Sequence, residues 1–149
     1  MNIGGVVMIF EDELMERQAD LVGHILEFYK DDVDKLYIWI ESKQKSFSFN
    51  VFAVKDNKII PKEDMDREEF TIRDFLEEGV HYIHKEYPIL REKYGNLVPS
   101  ETKMIYDVKD NFLEATYKYD GVDGYSEENS LGAYEIMELW EEEVKKTLV

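Results

Sequence analysis

Residues 36–54 restrict this chain more than any other stretch. Leu36, Ile38 and Ile40 alternate with Tyr37, Trp39 and Glu41. After the polar run Ser42-Lys43-Gln44-Lys45, Phe47, Phe49, Val51 and Ala53 alternate with Ser48, Asn50, Phe52 and Val54. A period of two in β-branched and aromatic residues is the signature of a strand, and two such runs around a short polar break predict a hairpin. A hairpin alone is marginal in water. The remainder of the chain must therefore cover it.

The flanking segments read as that cover. Residues 9–30 carry Leu14, Leu21, Ile25 and Phe28 on one helical stripe, with Glu16, Asp20 and Glu27 opposite. Residues 1–8, with Met8 an alternative start, read as a disordered lead-in, and their short apolar run lacks the basic flank of a signal peptide. Lys55-Asp56-Asn57 is turn chemistry, and Lys58-Ile59-Ile60 makes a short third strand ending at Pro61. Residues 61–70 form a charged loop. Thr71 with Asp74 three residues on predicts a helix start. Ile72, Leu76, Val80, Ile83 and Tyr87 give the apolar face of that helix. Pro88 should kink it or begin a second short piece, and Gly95 should stop it.

Residues 102–120 repeat the hairpin pattern about Lys109-Asp110-Asn111. A glycine-rich acidic loop follows, and Ser130 is placed to cap a last helix. On that helix Ala133, Ile136, Met137, Trp140, Val144 and Leu148 share a face. The predicted order is α-β-β-(β)-α-β-β-α. This is one α+β domain over 1–149, an antiparallel sheet of four or five strands with three main helices packed on one face. With 44% hydrophobic and 13% aromatic residues, the chain can bury a real core.

Charge narrows the function. Thirty-four acids against 18 bases leave a net −16. Phosphate backbones and anionic membranes call for the opposite sign, so neither is an expected partner. The field instead favours a basic partner or serves solubility alone. No cysteine is present, which removes disulfides, thiolate zinc sites and cysteine nucleophiles and fits a cytoplasmic address. No catalytic motif is present, no catalytic residue or cofactor is expected, and the chain reads as a non-enzyme. The serines lack a nucleophile elbow and no glycine-rich phosphate loop occurs. His81 and His84, with Glu77, Glu78 and the distant His24, could be imagined as metal ligands, but solvated helix residues explain them as well. Asp120 and its followers miss calcium-loop spacing at Val122 and Gly124. No metal is expected.

The candidate partner-binding surface is an acidic ridge. Asp120, Asp123, Glu127 and Glu128 lead into a helix whose polar side shows Glu135, Glu138 and Glu142, and Tyr125 is a candidate anchor. A second candidate is the strand face carrying Tyr37 and Trp39. Exposed, it would suit an adaptor binding a small ligand or protein; buried, it packs a second layer. A third reading, a metal-using hydrolase, predicts stabilisation by divalent cations.

The element order and the hairpin Ile105–Asp120 resemble the YezG-like antitoxins, immunity proteins of Gram-positive polymorphic toxin systems. The resemblance covers residues 9–146. It implies a cytoplasmic protein that binds a cognate toxin, often a nuclease with a basic surface, and neutralises it one-to-one without catalysis.

Overall fold

The computed structural model describes residues 3–30, 32–43, 46–60, 71–119 and 133–148. Helix α1 spans Ile3–Tyr29, strands β1 Lys35–Ser42, β2 Phe47–Lys55 and β3 Lys58–Ile60 follow, then helix α2 Ile72–Tyr94. A 3-10 turn, Gly95–Leu97, leads to β4 Glu101–Asp107, β5 Phe112–Lys118 and helix α3 Ala133–Thr147. The expected α+β order is met, with the third strand present. The predicted loop 61–70, the glycine-rich acidic loop and the Ser130 cap lie outside the described residues.

The five strands form one antiparallel sheet in the order β3-β2-β1-β4-β5. The first hairpin sits at its centre, and β1 pairs with both β2 and β4. In that register Leu36 faces Ala53, Ile38 faces Val51 and Met104, and Ile40 faces Phe49. The side-chain period of two then sends this whole set to one side of the sheet and Tyr37, Trp39, Phe52 and Val54 to the other. The β2–β3 turn takes positive φ at both Asp56 (51°) and Asn57 (62°), the two-residue geometry that matches the twist of a hairpin.

Helices α1 and α2 cover the Leu36 side. On α1, Leu14, Leu21, Ile25 and Phe28 are buried as predicted. Gln18 shares their stripe and is also buried, its amide donating to the Tyr117 hydroxyl at 2.7 Å. Helix α2 begins as expected: the Thr71 hydroxyl accepts from the Asp74 N–H at 3.2 Å. It ends at Gly95, whose N–H still donates to the Arg91 carbonyl and whose φ of 57° turns the following chain out of the helix.

Four expectations need correction. First, α3 lies on the opposite face from α1 and α2, so the sheet is covered on both sides. Its Met137, Trp140 and Val144 close a separate buried cluster with Tyr37, Trp39, Phe52 and Val54. The central strands carry large apolar side chains on both faces, and only a helix on each side removes both from water. Second, α1 begins at Ile3, six residues before the expected start at residue 9. Third, Pro88 starts no second piece; α2 continues through it. The neighbouring Tyr87 and Leu90 are fully buried, and their burial offsets the ~3 kcal/mol a helical proline costs. Fourth, the buried face of α2 is rotated from the predicted stripe. It is Phe75, Gly79, Ile83, Tyr87 and Leu90, while Ile72, Leu76 and Val80 lie on its flank. The rotation places Gly79 over the Phe49 ring, where only a residue without a side chain fits.

Among the described residues, no helix is long and apolar enough to cross a membrane.

Candidate functional site

The acidic ridge is built on α3. Its inward residues recur at helical spacing, and Trp140 anchors the helix by meeting two aromatic rings edge-on. Trp140 lies 5.6 Å from Tyr37 at 86° and 5.5 Å from Phe52 at 82°, while Tyr37 and Phe52 stack at 4.7 Å. The Lys103 ammonium sits 5.2 Å from the Trp140 ring centre, a cation–π contact at the rim of this cluster. With one face held in this way, the other is presented as a firm surface. Glu135, Glu138 and Glu142, all predicted for the ridge, are exposed there, and Glu143 joins them. Leu139 lies in the same stripe with 54% of its surface in water. Sequence periodicity alone did not single it out, because one leucine on a polar face is ordinary. Lys145 approaches Glu142 at 3.4 Å; both are well exposed, so the pair neutralises little. Asp120, Asp123, Tyr125, Glu127 and Glu128 lie outside the described residues.

Charge is concentrated at this end of the sequence. Residues 120–149 hold nine acids and two lysines, net −7 of the chain's −16.

The Tyr37 and Trp39 face is not a docking surface. Trp39 is 1% exposed and Tyr37 7%, both sealed by α3. Burial raises the Tyr37 hydroxyl above its ordinary pKa of 10.0. The adaptor reading through this face therefore fails for a steric reason.

A concavity between the first two helices was not foreseen. Between α1 and α2 a half-open groove of about 340 Å3 is lined by Asp20, His24, Glu78, His81, Tyr82 and Lys85, among others. The fold thus brings His24 and His81 to one groove from far apart in sequence. His84 is elsewhere, its ring 4.7 Å from that of Phe47, so the i,i+3 histidine pair is divided. His24 stacks on Phe75 at 4.9 Å, with Nε2 3.3 Å from the Phe75 carbonyl and Nδ1 3.9 Å from Glu78. The Tyr82 hydroxyl donates to Asp20 at 2.7 Å; burial and this bond both push its pKa up. Among the described residues no three histidine or carboxylate side chains are grouped to hold a metal ion.

Beside the groove, a polar network joins α1 to α2. The Glu13 carboxylate accepts from the Tyr94 hydroxyl and from Lys93 at 3.0 Å, and Arg17 reaches Glu86 at 3.1 Å. The Tyr94 hydrogen bond, followed by that of Lys93, lowers the Glu13 pKa below its ordinary 4.5. Reciprocally, Tyr94 is pushed up to about 12. These contacts are satisfied within the fold, which is the pattern of a structural clamp.

Compared with known proteins, the chain matches no family model and no curated protein.

Proposed function

We propose that this chain is an immunity protein: a cytoplasmic, non-catalytic inhibitor that neutralises a cognate toxin by covering a basic surface, as on a nuclease domain. The observation that carries the reading is the outer stripe of α3. Glu135, Glu138, Glu142 and Glu143 surround the exposed Leu139 on a helix whose back is anchored by Trp140. An apolar anchor ringed by charge on a rigid element is the form of a protein interface, and the charges speed encounter with an oppositely charged partner. The net charge of −16 favours the same class of partner and opposes nucleic acid. The loop acids Asp120, Asp123, Glu127 and Glu128, with Tyr125, extend the ridge in sequence.

The test starts with a pull-down from the host, washed at rising salt. The expected prey is one protein with a basic domain, whose activity is then assayed with and without this chain. With that partner in hand, the triple reversal Glu135→Lys, Glu138→Lys, Glu142→Lys should cut the association rate at low salt by about tenfold or more. It should also flatten the salt dependence. Leu139→Ala should act mainly on dissociation. An association rate unmoved by the triple reversal would refute the site. Retention of no basic protein would refute the function.

A further inference from the structure

Among the described residues the sheet has one long open edge. Strand β5 pairs with β4 on one side only, and among the described residues nothing pairs with its other side. Its seven residues contain no proline. The opposite edge, β3, is only three residues long. Open edges invite strand pairing unless charge, proline or a bulge prevents it.

The hydrogen-bond phase of the sheet says which groups point off this edge. Ser42 N–H donates to the Ser100 carbonyl at 2.8 Å, and Val108 N–H donates to the Asp34 carbonyl at 3.0 Å. The even-numbered residues of β4 therefore face β1, and Glu101, Lys103, Ile105 and Asp107 face β5. Their register partners Lys118, Thr116, Glu114 and Phe112 face back towards β4. The backbone N–H and C=O groups of Leu113, Ala115 and Tyr117 are left pointing outward. The side chains of Glu114, Thr116 and Lys118 stand exposed on the α3 side of the sheet.

We propose that this chain self-associates through β5, joining two five-stranded sheets into one antiparallel sheet of ten. The register is centred on Thr116. There Ala115 of one copy and Tyr117 of the other exchange both backbone hydrogen bonds. Thr116 meets Thr116, and Glu114 meets Lys118 twice, all at the non-hydrogen-bonded positions where side chains approach most closely. Opposite charges and paired threonines directly across are both favourable on a sheet. Centring on Glu114 would oppose the two Glu114 side chains. Centring on Ala115 would leave Glu114 against Thr116. The strip Glu114-Ala115-Thr116-Tyr117-Lys118 is thus self-complementary in one register.

A second copy is the occupant because this edge is nearly neutral in a strongly acidic molecule. Residues 101–118 hold four acids and three lysines, net −1. Lys118 is half-exposed and lies 3.7 Å from the buried Glu101, so its outer end can meet Glu114 of a second copy while it keeps that contact. A contact of one strand on one strand buries less than the ~1,600 Å2 of a standard interface, so the dimer is weak and concentration-dependent. Long-range repulsion between two copies of −16 weakens with salt, so the dimer tightens as salt rises. That is the opposite sign to binding of a basic partner, and the two associations are separable on this ground.

The test is sedimentation velocity over a concentration series at about 0.05 M and about 0.5 M NaCl. The expected result is a monomer–dimer equilibrium that shifts towards dimer at the higher salt. Thr116→Lys and Thr116→Glu each place like charges at the two-fold axis. Each should weaken the dimer by about tenfold or more. An equimolar mixture of the two variants should regain it as a heterodimer. Ala115→Pro removes an outward N–H while sparing the bonds to β4, and should also weaken it. Circular dichroism checks that each variant is folded; Thr116 is exposed, so its two variants carry the test if the proline variant is not. A monomer at every concentration overturns the proposal, and so does a dimer that Thr116→Lys leaves intact.

Discussion

Gly79→Ala offers a sharp test of how α2 meets the sheet. Read as an isolated helix position, the change should stabilise, because alanine exceeds glycine by about 1 kcal/mol in a helix interior. The packing predicts the reverse. A methyl group at Gly79 would fall closer than 3.0 Å to Cγ, Cδ2 and Cε2 of the Phe49 ring. The ring cannot simply swing away. Phe49 is 5% exposed and meets Phe75 edge-on, 5.8 Å between centroids, and Phe75 is itself fully buried. Overpacking of this kind costs about 1–3 kcal/mol, so the net effect is destabilisation of about 0–2 kcal/mol. The diagnostic is a double-mutant cycle in urea. In a Phe49→Ala background the obstructing ring is gone, and Gly79→Ala should stabilise by up to about 1 kcal/mol. The sign of one substitution thus reverses with the residue across the interface. Additive effects, or stabilisation of the otherwise native chain by Gly79→Ala, would refute the close approach of α2 to β2.

Three further outcomes follow from the packing and the titrating groups. Trp140→Ala should cost about 3–5 kcal/mol and expose Trp39, read as lower urea stability with a red-shifted tryptophan emission. Tyr29 and Tyr87 are raised by burial, Tyr82 by burial and its bond to Asp20, and Tyr94 to about 12 by its bond to Glu13. Since folding favours their protonated forms, this stability is fully present below pH 10 and is lost as the pH climbs through the folded pKa values. An ultraviolet titration should show tyrosines that ionise late, together with alkaline unfolding; ionisation of all ten near pH 10 with the fold intact would contradict this. Glu13 has the opposite sign. Its lowered pKa stabilises above the ordinary 4.5, and that contribution disappears as the pH falls through the folded value. Glu13→Gln should therefore be destabilising at neutral pH, and the gap in melting temperature should close on acidification below about 4.5.

What the sequence determined by itself about this protein is local. Alternation located both hairpins, because side-chain direction in a strand repeats every two residues whatever the strand pairs with, and the short strand was marked by the turn before it and Pro61 after it. The Thr71 cap, the Gly95 stop and the Asp56-Asn57 turn were legible because each depends on groups within four residues. The exposed Glu135, Glu138 and Glu142 were legible for the same reason, as the residues opposite the Trp140 stripe of one helix.

Only the tertiary structure decided how these pieces meet. Amphipathicity says that α3 must bury a face, but it does not say against which side of the sheet. That choice fell to the second apolar face formed by Tyr37, Trp39, Phe52 and Val54, and it removed the aromatic docking surface. The rotation of α2 was equally hidden, because Gly79 counts as blank in a hydrophobic pattern and matters only when Phe49 lies above it. Gln18, polar on an apolar stripe, found its partner 99 positions away in Tyr117. The groove that gathers His24 and His81 and the open edge at β5 likewise depend on distant pairings. Helix–sheet and strand–strand contacts join residues far apart in the chain, and no local period records which ones will meet.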